Sequence, residues 1–151
     1  LMDRDQKGLT REQVQEIYRK SFFADVYLMS SNAVTESGVL YNVDGNGNRV
    51  AALTFGPKSV IVVAGYNKIV KDVDEAVRRT KTTAAPANVA RLNCETYCKH
   101  TGVCVSLSKD CPEMSDGCRN GDRICATYVV CGQQRMKDRI KVILVGEELG
   151  Y

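Results

Sequence analysis

Apolar residues recur at helical spacing in some stretches of the chain and in short continuous runs in others. The alternation of the two patterns predicts an α/β protein. Val14, Ile17 and Phe22 give an amphipathic helix over 11–22, opened by Thr10 and Gln13 in capping-box spacing. Asp25-Val-Tyr-Leu-Met-Ser30 is a short strand-type run. Val39–Val43 and Val50–Thr54 flank Asp44-Gly-Asn-Gly-Asn48, a combination that predicts a β-hairpin because Asp-Gly and Asn-Gly supply the positive φ angles of a tight reversal. Val60-Ile-Val-Val-Ala64 is β-branched, as a central strand requires. Asp72, with Glu75 three positions on, starts a helix through Val73, Ala76, Val77 and Thr80; Ala84-Ala-Pro86 is expected to end it, and a short helix follows over 87–93. Between Cys98 and Arg123 the periodicity vanishes into an irregular excursion, after which Ala126–Val130 and Ile140–Val145 read as strands. The prediction is one α/β domain over residues 1–151, a mixed sheet covered by helices, with a cysteine-rich excursion at 94–125.

Charge and composition narrow the classes. The 21 basic and 18 acidic residues leave a net charge of +3, and the basic residues interleave with acids, so nucleic acid is not an expected partner. The run Val60–Ala64 is far short of the roughly 20 apolar residues a membrane-crossing helix needs. The sequence opens on Leu1 and passes directly into a charged segment and a helix, which predicts that its natural N-terminal part lies upstream. With no secretory signal in view, the expected setting is cytoplasmic, where thiols remain reduced.

The thiols change the picture most. Seven cysteines fall between Cys94 and Cys131 and none before, a density that calls for metal, disulfides or redox chemistry. Seven is odd, so pairing within one chain leaves at least one thiol over. Cys94 and Cys98 alone have a zinc-like spacing; an iron–sulfur cluster, being larger, tolerates the wider ones. Cys131 closes an apolar run and reads as a small buried hydrophobe. His100 is the only histidine and reads as a solvent-exposed loop residue. Any hydrolase using a histidine base would have to route through it, and nothing around it resembles a nucleophile elbow.

The order of motifs closely resembles the LUD family, named for lactate-utilisation proteins. The segments that carry the resemblance are Ser30-Ser-Asn-Ala-Val-Thr-Glu-Ser-Gly38, Asn46-Gly-Asn-Arg-Val-Ala-Ala52, Gly56-Pro-Lys58, Gly65-Tyr-Asn-Lys68, Ala84-Ala-Pro-Ala-Asn88 and Val145-Gly-Glu-Glu-Leu-Gly-Tyr151. The resemblance implies a Rossmann-type layered fold like that of the NagB/RpiA/CoA-transferase proteins, with a glycine/serine-rich segment ahead of the part present here. Short members carry a motif similar to Cys-x5-Cys-x2-Cys-x6-Cys. Cys98 and Cys104 keep its first spacing, Cys118 and Cys125 its last, and an 11-residue insertion containing Cys111 separates the pairs. By this resemblance Cys98, Cys104, Cys118 and Cys125 are the expected ligands of an iron–sulfur cluster or zinc, with Cys94 and Cys111 as alternates.

Ligands of open α/β sheets bind beyond the carboxyl ends of strands. The family motifs place Asn32, Thr35 and Glu36 after the first strand, Asn67 and Lys68 after the central one, and Asn48 and Arg49 at a nearby corner. Those side chains suit a small anion, an organic acid or a phosphate-containing molecule, although each also has an ordinary use in turns. The resemblance implies a binding or accessory component of lactate or other organic-acid oxidation, working with further lactate-utilisation proteins. Two alternatives stand beside it: an enzyme of CoA-transferase or isomerase type, in which Glu36 resembles the catalytic glutamate by position, and an interaction domain stabilised by zinc or disulfides. An exposed sheet edge, if present, would favour a homo-oligomer.

Overall fold

A computed structural model describes residues 1–151. The first helix, α1 (Arg11–Ser21), opens with the expected capping box: Gln13 N–H donates to Thr10 Oγ1, and Thr10 N–H donates back to Gln13 Oε1. Three parallel strands follow at intervals along the chain, β1 (Val26–Met29), β4 (Ser59–Gly65) and β7 (Ile140–Val145), and form one sheet in the order β1-β4-β7. A second, mixed sheet has the order β5-β2-β3-β6, built from β2 (Ala33–Thr35), β3 (Leu40–Asp44), β5 (Ile69–Val70) and β6 (Thr127–Cys131). In that sheet β2 runs antiparallel to β3 and parallel to β5, and β3 runs antiparallel to β6.

The period-two alternation of the strands explains the layering. Val34 and Leu40 face Met29, Val60, Val62 and Ala64 of the parallel sheet, with Leu53 completing this core. Ala33, Tyr41 and Val43 point the other way and pack with Val70 and with Ala76 of helix α3 (Val73–Arg79). The opposite face of the parallel sheet is different: Val26, Leu28 and Ile143 stand exposed, Leu28 to 68%. Helix α3 begins where expected, with Glu75 N–H donating to Asp72 Oδ1 at 2.9 Å. No helix is long and apolar enough to cross a membrane.

Two local expectations are corrected. Asp44–Asn48 is not a hairpin tip but a strand-to-helix turn into α2 (Asn48–Phe55). The Asp44 carboxylate accepts the N–H groups of Arg49 and Val50 at 2.9 and 3.3 Å, which caps the helix, and Gly47 takes the positive φ of +78°. Val50 and Leu53, three apart, are buried on one helical face while Ala51 is exposed. Nor does Pro86 end the second helical stretch. A π turn over Thr80–Ala84 joins α3 to α4 (Ala85–Leu92), with Pro86 in the first turn of α4, where a missing N–H costs least. The excursion is more regular than its sequence suggests, holding the one-turn helix α5 (Tyr97–Thr101) and a 3₁₀ turn at Val105–Ser108.

Candidate functional site

Two places collect polar and titratable side chains. The first is a narrow cleft beside the π turn, with a cavity volume of about 30 Å³. Cys98, Cys104, Cys118 and Cys125 all line it, together with Tyr41 and Lys81. The π turn anchors the excursion there: the Cys104 N–H donates to Lys81 O at 2.9 Å, and the Lys81 ammonium donates to Ser106 Oγ at 2.9 Å and to Glu113 O at 2.8 Å. Arg123 staples the far side. Its guanidinium donates to the carbonyls of Cys125, Cys118 and Ser115 and to Tyr128 Oη, at 2.7–3.0 Å. A Cβ at Gly117 would lie 2.9 Å from that guanidinium, so a side chain there would push the arginine out of this position.

The four thiols are unpaired, as are the other three. Cys98 is hydrogen-bonded to the Thr96 hydroxyl at 3.5 Å and Cys104 to that of Ser106 at 3.3 Å. Burial pushes the Cys125 thiol up to about 11, helped by the neighbouring thiols of Cys104, Cys98 and Cys118 and opposed by Arg123. Lys81 is held below its ordinary range, chiefly by burial. The Thr80 hydroxyl, on the cleft wall and 3% exposed, has no hydrogen-bond partner. No three of the histidine, cysteine, aspartate and glutamate side chains converge closely enough to hold a single ion. The alternates stand apart from the cleft lining: Cys111 is exposed and Cys94 only partly covered. Cys131 packs against the core at the end of β6, as a small hydrophobe should. His100 is surface-exposed beside Glu95, 3.2 Å away.

The second place is at the carboxyl ends of β1 and β4, and the residues expected there do not all come together. Asn32, Arg49 and Lys68 come together. Arg49 donates to Ser30 O, to Asn42 Oδ1, to Asn32 Oδ1 and to Val43 O, all within 3.1 Å, and so ties β1, β3 and α2. Lys68, in a 3₁₀ turn after β4, is 6% exposed and donates to Ser30 Oγ at 3.0 Å. Thr35 and Glu36 form a separate turn closed by Gly38, in which Thr35 Oγ1 accepts the Val39 N–H at 2.9 Å and the exposed Glu36 carboxylate has no hydrogen-bond or ion-pair partner. Asn67 is committed to the C-terminal segment: its amide donates to Gly150 O at 2.9 Å and accepts from Leu149 N–H at 3.2 Å. Asn48 stands at the first turn of α2.

Sequence reasoning missed Ser30 and Arg79 at this second place, and Thr80, Lys81 and Arg123 at the first. Arg79 donates to Asn67 O at 3.0 Å and to Asn32 O at 2.7 Å. Its position among the helical residues 73–80 carries no signal of that role, whereas Ser30 opens the Ser30–Gly38 segment shared with the family. A family model described as the LUD domain matches residues 1–145. No curated protein and no solved structure matches the chain.

Proposed function

Since the chain belongs to the LUD-domain family, whose members are associated with lactate utilisation, we propose that it serves organic-acid oxidation as an accessory component that carries an iron–sulfur centre on Cys98, Cys104, Cys118 and Cys125. The observation that supports this reading is that these four cysteines line one cleft while the other three lie outside its lining.

The surroundings suit the group as well. A cluster held by four thiolates carries net negative charge, and Lys81 and Arg123 supply positive charge at the cleft without a carboxylate partner within ion-pair distance. The unsatisfied Thr80 hydroxyl is a free donor on the same wall, and hydrogen bonds to sulfur are a standard means of setting a cluster's potential. Val89, Ala85 and Tyr41 line the apolar side and limit water there. Bound there, such a centre would supply one-electron transfer, with partners among the other lactate-utilisation proteins of a reducing, cytoplasmic setting. Glu36 has no neighbouring group that would activate it, so the reading rests on the cleft.

Anaerobic reconstitution with iron and sulfide, followed by metal and acid-labile sulfide analysis, tests the proposal. A brown protein with iron and sulfide in equal amounts is expected; Cys118→Ser should lose it and Cys111→Ser should keep it. Colourless protein without iron, or zinc at one equivalent per chain, would overturn it.

A further inference from the structure

Lys68, Arg79 and Arg49 form a cationic group, and none of the three side-chain cations has an ion-pair partner within 4 Å. Asp44, whose carboxylate accepts the Arg49 backbone N–H, offsets part of the Arg49 charge, but it does not act on Lys68 or Arg79. The Lys68 ammonium has three protons and one partner, Ser30 Oγ, although the residue is 6% exposed. Arg79 spends Nε and Nη1 on the carbonyls of Asn67 and Asn32, leaving Nη2 without a partner. Arg49 spends both Nη groups in tying the surrounding chain together, so its main contribution is charge. An ammonium buried without its counter-ion is strongly disfavoured relative to one in water. That cost points to an ion the chain does not itself provide.

We propose that Lys68, Arg79 and Ser30 form a binding site for a compact oxyanion, a carboxylate or a phosphate. The position agrees with the rule for open α/β sheets: Ser30 follows β1, Lys68 follows β4, and the two strands are adjacent and parallel, so both residues stand beyond carboxyl ends. The donors match the ligand. An ammonium with two unused protons and a guanidinium with a free Nη2 suit the several lone pairs of an oxyanion. Ligand size is limited from above. Asn67 holds the C-terminal segment over Lys68, and a Cβ at Gly150, whose φ is +62°, would sit 3.5 Å from the ammonium nitrogen. Burial, with Arg79 and Arg49 adding repulsion, holds Lys68 below its ordinary range, and a bound anion would reverse that. The inference rests neither on the family nor on the thiol centre, since no cysteine takes part.

Isothermal titration at constant ionic strength, with sodium L-lactate and sodium phosphate as separate probes and sodium chloride as reference, tests it. The expected result is saturable binding of one equivalent of lactate, phosphate or both, which also identifies the oxyanion. In Lys68→Met, an apolar replacement of similar length, affinity should fall at least about tenfold while circular dichroism stays unchanged. As a second readout on the native protein, the Lys68 ε-carbon resonance should titrate at higher pH when the ligand is saturating. Absence of saturable binding by both probes, native-like affinity in Lys68→Met, or a Lys68 titration unmoved by saturating ligand would each overturn the site.

Discussion

Arg139 donates from Nη1 to the carbonyl oxygen of Leu53 at 2.6 Å, across 86 positions of sequence. The same guanidinium reaches Ala52 O at 3.1 Å and Pro57 O at 3.0 Å, so one buried cation satisfies the carboxyl end of α2 and the turn after it. Leu53 O and Pro57 O have no backbone donor, Ala52 O also accepts the Gly56 N–H at 3.1 Å, and a cation there complements the helix dipole. Arg139→Met should therefore cost roughly 2–3 kcal/mol, since it strands two buried acceptors, and Arg139→Lys should recover only part because a point charge cannot reproduce the fork. Urea unfolding midpoints read both.

Thr80 should behave in the opposite sense. Its buried hydroxyl has no partner, so Thr80→Val, which keeps the shape, should stabilise the metal-free protein by about 1 kcal/mol. A loss of similar size in the same unfolding assay would mean that the hydroxyl is hydrogen-bonded in solution.

Lys68 links charge to stability. Burial lowers its folded pKa below the ordinary 10.5, so between the two values the unfolded chain holds more protons and the native state gains stability as pH rises. Below that window the penalty of the buried charge is fully present. Without added oxyanion, Lys68→Met should thus be more stable than the native protein by about 1–2 kcal/mol at neutral pH. The advantage should fade as pH rises toward 10.5. Chemical unfolding of both proteins across that range checks the sign.

Thiol reactivity should follow exposure. In metal-free protein, iodoacetamide at mildly alkaline pH should modify exposed Cys111 well before Cys125, which burial pushes up to about 11, and before buried Cys98. Peptide mass mapping over time gives the order; modification of Cys125 ahead of Cys111 would contradict it.

Much of the frame was legible because it is written locally. Thr10 with Gln13, and Asp72 with Glu75, state their helix starts within four residues, and Val60–Ala64 announces a central strand by composition alone. The Asp44-Gly-Asn-Gly turn was misread because it supplies positive φ equally well to a hairpin or to a helix entry. What decides between them is that Val50 and Leu53 bury and Arg49 reaches back to Ser30 and Asn32, facts of tertiary structure. Pro86 was read as a terminator because a π turn leaves no periodic trace. The strands β2 and β5, three and two residues long, were missed because they are too short to show a pattern. The resemblance to the family's cysteine motif singled out the four cysteines that line the cleft, but not their neighbours. Thr80, Lys81 and Arg123 arrive there from separate parts of the chain, and a linear reading has no means to bring them together.

The pairing of β4 on both sides has a kinetic consequence. Val60 lies beside Tyr27, 33 positions earlier, and beside Ile140, 80 positions later. On the ribosome, β4 therefore waits with one flank bare until residues 140–145 emerge, and the long loop then has to close against its entropy. Such nonlocal strand pairing makes closure of the parallel sheet a late and slow step of folding.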